Sequence, residues 1–265
     1  MNIKAIISLL LLTVSCLFAP LAYADGTLSE FIRIKSDALG YDLQYQVYVP
    51  NNTNPDDQLP TLYITDGAAY AKKGRMIKAL NDGITEGKIK PVIAIFVDAR
   101  NPDNLKNNRR NEQFFCEQNY VDFFTTELIP AIDKGYSTSA LREHRVILGV
   151  SFGGFNAGCF GLMATPYFGG VAMNSPAHTR FVRHLQKHYK RLEKKNIKIY
   201  MSVGTDLDNK RAVRSFRTTL KNKGYDLTFM QTDKGHNWNN WTPLLPKVLE
   251  TFFASNQDAS PSKGE

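Results

Sequence analysis

The chain has 265 residues, with 33 lysines and arginines against 25 acidic residues and a formal net charge of +8. That length suits one large α/β domain or two small ones, and no Pro/Gly/Ser-rich linker divides the interior, so one domain is expected. The positive excess favours anionic ligands or surfaces without specifying a fold, and three cysteines are too few for a disulfide framework.

The first 24 residues read as a secretory signal peptide. Lys4 supplies the positive charge, an apolar run from Ala5 to about Ala19 follows, and Ala22-Tyr23-Ala24 is a small-x-small cleavage site. The run falls short of the ~20 apolar residues a membrane-spanning helix needs. Export is therefore expected, to the periplasm if the source is a Gram-negative bacterium, with no stable membrane insertion after cleavage. Residues 25–254 are expected to form the domain, and 255–265 a disordered tail.

From there, segments rich in β-branched and aromatic residues alternate with helical patterns. Residues 30–35 and 43–49 read as an antiparallel edge hairpin. Further strands are expected at 62–65, 92–97, 145–148, 170–173, 197–203 and 227–230, making eight. Helices are expected over 70–81, 120–133, 152–164, 179–194, 210–223 and 243–253. Such alternation predicts an α/β fold with a mostly parallel, twisted sheet and helices on both faces. The polar stretch 100–119 lacks a period and is longer than an ordinary connection. Residues 178–195 carry much of the positive charge, but Phe181, Leu185 and Leu192 recur at helical spacing, which reads as a surface helix with a solvated basic face. Cys116 and Cys159 are left open between a bridge and two separate core thiols. For an exported protein with no recognised binding motif, nucleic acid is not an expected partner. Neither a metal nor an organic cofactor is implied, and nothing specifies an oligomeric state.

The chemistry centres on Gly149-Val150-Ser151-Phe152-Gly153-Gly154, where a strand ends and a helix rich in small residues begins. A sharp elbow there projects the Ser151 hydroxyl from the sheet, with small residues on either side allowing strand and helix to approach. A serine hydroxyl needs a base within hydrogen-bond reach. Of five histidines, His144, His184 and His188 read as surface groups. His178 follows a strand end and is a candidate substrate contact. His236, between the last strand and the last helix, stands where such a fold presents its base. The third member must come from the loop Gly204-Thr205-Asp206-Leu207-Asp208, with Asp208 preferred and Asp206 the alternative. The backbone N–H of Phe152, and that of Ala68 in Thr65-Asp66-Gly67-Ala68, are the expected oxyanion donors, Gly67 permitting an unusual backbone angle.

With these residues in place, the chain resembles the α/β-hydrolase esterase family that includes enterochelin esterases, feruloyl esterases, S-formylglutathione hydrolases and mycolyltransferases. The motifs are Tyr45-Gln46-Val47-Tyr48-Val49-Pro50, Leu62-Tyr63-Ile64-Thr65-Asp66-Gly67, Phe123 to Pro130, the elbow, and Gly235-His236 with Trp241 five residues on. The resemblance implies Ser151 as nucleophile, His236 as base, and Phe152 and Ala68 as oxyanion amides. Family members often carry the acid three residues after the loop glycine, where this chain has Leu207. The segment Arg109-Arg110-Asn111-Glu112-Gln113 resembles the enterochelin-esterase stretch, which implies arginines holding an anionic substrate.

The expected function is ester hydrolysis through an acyl-enzyme, on a small-molecule or glycan-linked ester such as a siderophore trilactone, a feruloyl ester or an acetyl ester. Trp238, Trp241, Phe114 and Phe115 are candidates to stack on an aromatic acyl group, set against burial in the core. The rivals are an exported acyltransferase using the same residues and a non-catalytic binding module.

Overall fold

Buried runs of apolar residues form the central strands, and the computed structural model, which describes residues 25–51, 53, 54 and 56–255, assembles these with more exposed edge strands into a nine-stranded sheet. The edge side comprises β1 (Thr27–Leu28), β2 (Ile32–Ile34) and β3 (Leu43–Val49), followed by β4 (Thr61–Ile64). Two short helices come next, α1 (Gly67–Lys72) and α2 (Met76–Thr85), before β5 (Ile93–Asp98). A two-stranded ribbon, β6 (Arg100–Asn101) and β7 (Asn104–Asn108), precedes α3 (Arg110–Gln113) and α4 (Gln118–Asp122). A π-helical segment Phe123–Leu128 joins α4 to α5 (Ile129–Gly135). The parallel half then runs β8 (Arg145–Val150), α6 (Phe152–Met163), β9 (Gly170–Asn174), α7 (Thr179–Arg191), β10 (Lys198–Gly204), α8 (Lys210–Asn222) and β11 (Asp226–Thr232). Helices α9 (Trp238–Trp241) and α10 (Leu245–Phe253) close the chain.

The sheet order is β1-β3-β5-β4-β8-β9-β10-β11, with β2 also pairing β3. From β5 to β11 every pairing is parallel, while β1, β2 and β5 each pair β3 antiparallel. Alternation along the strands separates two cores. Ile93, Ile95 and Val97 of β5 face the cluster that includes α4 to α8, and Ala94 and Phe96 face α1, α2 and α10. Helices thus cover both faces, as parallel crossovers require. This is the α/β-hydrolase arrangement, and it brings the C-terminal ends of β4, β8, β10 and β11 to one edge, where the loops of such sheets build sites.

Several elements differ from expectation for physical reasons. The helix expected over 70–81 is two, broken at Arg75, whose φ is 52°. Residues 118–135 follow one helical path but pass through a π turn. Pro130 lacks the N–H that would bond the carbonyl of Thr126, and a locally widened ladder accommodates that gap. The unpatterned stretch 100–119 contains the β6–β7 ribbon; all five residues of β7 are exposed, so no face of it imposes an apolar period. The short β1 raises the strand count of the sheet from the expected eight to nine. Ser255, expected to begin a disordered tail, donates its backbone N–H to the Lys88 carbonyl at 3.2 Å. The expected signal peptide and residues 256–265 lie outside the described residues. Among the described residues, no helix is long and apolar enough to cross a membrane. Cys116 and Cys159 are joined as a disulfide that ties the loop before α4 to α6.

Candidate active site

The turn from β8 into α6 holds Ser151 at φ 55° and ψ −121°, a conformation sparsely allowed to a residue with a Cβ. Its neighbours explain how the strain is held. A Cβ on Gly149 would lie 2.0 Å from the carbonyl oxygen of Gly153, and one on Gly153 would lie 2.8 Å from Thr65 Oγ1. The Ser151 N–H donates to Asn174 O and the Ala177 N–H to Ser151 O, each at 2.9 Å. Strand and helix therefore meet at backbone distance, and the serine side chain is left at the sheet edge.

Two loops bring partners to that hydroxyl. Ser151 Oγ lies 2.8 Å from His236 Nε2, in the loop after β11, and His236 Nδ1 lies 2.9 Å from Asp208 Oδ1, in the loop after β10. The Asp208 side chain is fully buried, and His236 is 29% exposed. Burial pushes the Asp208 carboxyl up, but His236, the Ser175 hydroxyl and the N–H groups of Gly204 and Asn209 bond the charged form and hold it below the usual carboxylate range. Ser175 O–H donates to Asp208 Oδ2 at 2.6 Å, and Trp241 Nε1–H donates to Ser175 Oγ at 2.9 Å. Asp206 is exposed, with its backbone N–H on the Lys234 carbonyl. The carboxylate that meets His236 is thus Asp208, one position later than the resemblance implies for the acid. Leu207 lies between them at φ 48°, 95% exposed, so the loop swings outward and returns with Asp208. A hydroxyl and a buried carboxylate on opposite nitrogens of one imidazole form a proton-transfer chain.

The loop after β4 differs in its cause from expectation. Asp66, not Gly67, takes the left-handed angle, at φ 57°. Gly67 is required for space, since a Cβ there would lie 2.4 Å from the Phe96 carbonyl carbon. Ala68 and Phe152 each stand in the first turn of a helix, α1 and α6, where backbone N–H groups lack an intrahelical acceptor. Arg110 Nε bonds both carboxylate oxygens of Asp66, at 2.8 and 3.0 Å, and Nη2 donates to Val150 O at 3.3 Å. That guanidinium clamps the Ala68 turn to the strand leading into Ser151. Burial raises the Asp66 carboxyl, and Arg110 opposes the rise.

A cleft of about 540 Å³ opens at Ser151, walled by Phe115, Phe152 and Phe181 with Asn111, His178 and Arg180. The Phe152 and Phe181 rings stack at 5.2 Å, and the Arg180 guanidinium lies 4.7 Å from the Phe181 ring centroid. His178, read as a substrate contact, lines this cleft. The other expected contacts are engaged elsewhere. Arg110 pairs with Asp66, Arg109 lies 3.8 Å over the Tyr41 ring, and Trp241, 6% exposed, stands edge-on to the His236 ring at 5.0 Å. Ser175, Phe181 and Arg180 were not singled out as site residues. Ser175 could have been found from its place at a strand end, and Arg180 from its place just after the same loop, although its charge read as part of a solvated face. Among the described residues, no group of three or more His, Cys, Asp and Glu side chains could hold a metal ion.

The family model described as "Putative esterase" matches residues 36–252. Among curated relatives, the protein YjcH of Bacillus subtilis is 25% identical over 242 residues, covering 88% of this chain and all of that protein. An acetyl esterase of Caldicellulosiruptor saccharolyticus is 24% identical, covering 73% of this chain and 83% of the enzyme. Solved structures share the fold. A ferulic acid esterase superposes with a TM-score of 0.70 at 21% identity, covering 87% of this chain and 99% of the other. The enterobactin esterase of Shigella flexneri gives 0.75 at 20% identity over 84% of this chain, which spans 58% of that enzyme.

Proposed function

The chain belongs to the esterase family and is a carboxylic-ester hydrolase, and from that premise we propose that it works as an exported serine esterase through an acyl-enzyme on Ser151. The observation that carries this reading is the continuous chain Ser151 Oγ, His236, Asp208, at 2.8 and 2.9 Å. With Nδ1–H donating to Asp208, Nε2 is the free base. It takes the Ser151 proton as the hydroxyl attacks the ester carbonyl. The N–H groups of Phe152 and Ala68, prearranged at the starts of α6 and α1, hold the oxyanion. The imidazolium, stabilised by Asp208, then protonates the leaving alcohol, and the same histidine activates water to release the acid.

The aromatic wall suits a flat aromatic acyl group, in keeping with the ferulic acid esterase whose fold this chain shares, and Arg180 suits an anionic group on the acyl or leaving-alcohol side. The Cys116–Cys159 bridge supports export, because disulfides persist in oxidising compartments. Replacing Ser151 by Ala is expected to abolish nitrophenyl acetate turnover, at least a thousandfold by the scale of triad losses, with the thermal melt unchanged. Turnover retained in the pure variant refutes the role of Ser151.

A further inference from the structure

Helices α7 and α8 lie side by side over one face of the sheet, with Gln186 Nε2 on Ser215 Oγ and Thr219 Oγ1, both at 2.9 Å, and the Tyr189 and Phe216 rings 5.3 Å apart. Together they hold ten lysines and arginines and no acidic residue. Of the chain's 33 basic and 25 acidic residues this leaves 23 against 25, so the entire positive excess belongs to this surface. On α7 the exposed cations Arg180, Arg183, Lys187 and Lys190 recur every three or four positions, opposite the buried Val182, Leu185 and Tyr189. On α8, the exposed Lys210, Arg214 and Lys221 continue the stripe opposite Val213, Phe216 and Leu220, with the half-buried Arg217 between them packed on the Phe229 ring. Among the described residues none of these cations is in an ion pair. A solvated helix face ordinarily mixes charge signs; two adjacent unmixed stripes form a field that concentrates polyanions.

We propose that this face is a docking track for an acidic polysaccharide whose ester groups are presented to Ser151, a proposal that rests on the serine-esterase reading above. Three observations select that partner. First, the α7 stripe begins inside the cleft, at Arg180, and leads away from Ser151 with one cation per turn, about every 5.4 Å. An extended polymer with a charge on successive sugars matches that repeat. Second, the groove between the helices, about 560 Å³, is lined by hydroxyls and amides, those of Ser215, Thr218, Thr219, Gln186 and Asn222, with Lys190 and Lys223. Such a lining suits sugar hydroxyls. Third, within α7 and α8 no large hydrophobic side chain is exposed, Leu192, expected on the apolar face, being a single exposed residue at the C-cap of α7, whereas a helix lying in a bilayer surface carries an apolar face.

The test measures binding of the full chain lacking its first 24 residues to fluorescent polygalacturonate, to neutral dextran and to phosphatidylglycerol vesicles, at low and raised salt. The charge-reversed protein Arg183→Glu, Lys187→Glu, Lys221→Glu is compared, with the milder Gln triple variant carrying the test if reversal unfolds the chain. Polygalacturonate is expected to bind and dextran not, with affinity falling about tenfold on raising salt and about tenfold in the variant. On partially acetylated polygalacturonate, KM should rise by a similar factor with kcat kept. Equal binding to dextran, an unaltered variant, or preference for the vesicles overturns the proposal. Binding needs no turnover, so failure of the Ser151 assignment and failure of the track are separately readable.

Discussion

At the residue scale, the acid of the site is a packed assembly rather than a lone carboxylate. Asp208 accepts from the Ser175 hydroxyl, itself bonded by Trp241, and both donors are buried. Hydrogen bonds to a charged group are worth roughly 1.5–3 kcal/mol. Ser175→Ala should therefore lower kcat about ten- to a hundredfold at unchanged KM, by freeing the carboxylate to turn. A pH signature separates this from simple destabilisation. Because the folded-state pKa of Asp208 is depressed, its contribution to stability is complete above the unfolded value, about 3.9, and disappears as pH falls through the folded value. Removing one donor raises the folded value and shrinks the difference. Thermal melts of the variant and the parent should then differ most at neutral pH and converge as pH falls through the parent's depressed folded value; a constant difference across the range counts against the role given to Ser175. The sequence placed His236 and Ser151 by their positions after strands, but between Asp206 and Asp208 it favoured Asp208 without deciding, since the choice depends on Leu207 turning outward.

Among the elements, the elbow is the tightest junction. The Cβ that Gly149→Ala adds would meet the Gly153 carbonyl oxygen at 2.0 Å; that oxygen is backbone and the Cβ is fixed by its own Cα, so no flexible side chain can yield. The expected cost is about 3 kcal/mol, with esterase activity lost because the nucleophile is displaced. A denaturant midpoint equal to the parent's contradicts that packing account. The strongly periodic elements were legible: α6, α7 and α8 begin at the residues the pattern gave and end within one to three of them. Where the period was absent, legibility failed. The β6–β7 ribbon faces solvent throughout, and the break at Arg75 depends on a backbone angle that no composition announces. The basic face of α7 was visible as a stripe, yet its partner stripe on α8 was not, because adjacency of two crossover helices is a property of the sheet.

Across the whole molecule, the Cys116–Cys159 bridge closes a loop of 43 residues between the cleft wall and α6. By the chain-entropy relation such a loop contributes about 4 kcal/mol, so reduction by dithiothreitol should lower the melting temperature by roughly 10 °C. No shift on reduction, checked by thiol titration, argues against the bridge. The sequence by itself determined the class of fold, the elbow serine and the terminal-loop histidine, because hydrophobic period, glycine spacing and chain order are local properties. Only the tertiary structure decided which aspartate meets the histidine, that Arg110 clamps the Ala68 turn and leaves the cleft to Arg180, and that the two cysteines meet. Those outcomes depend on which strand ends share one edge of the sheet, a distance in space that spacing along the chain does not encode.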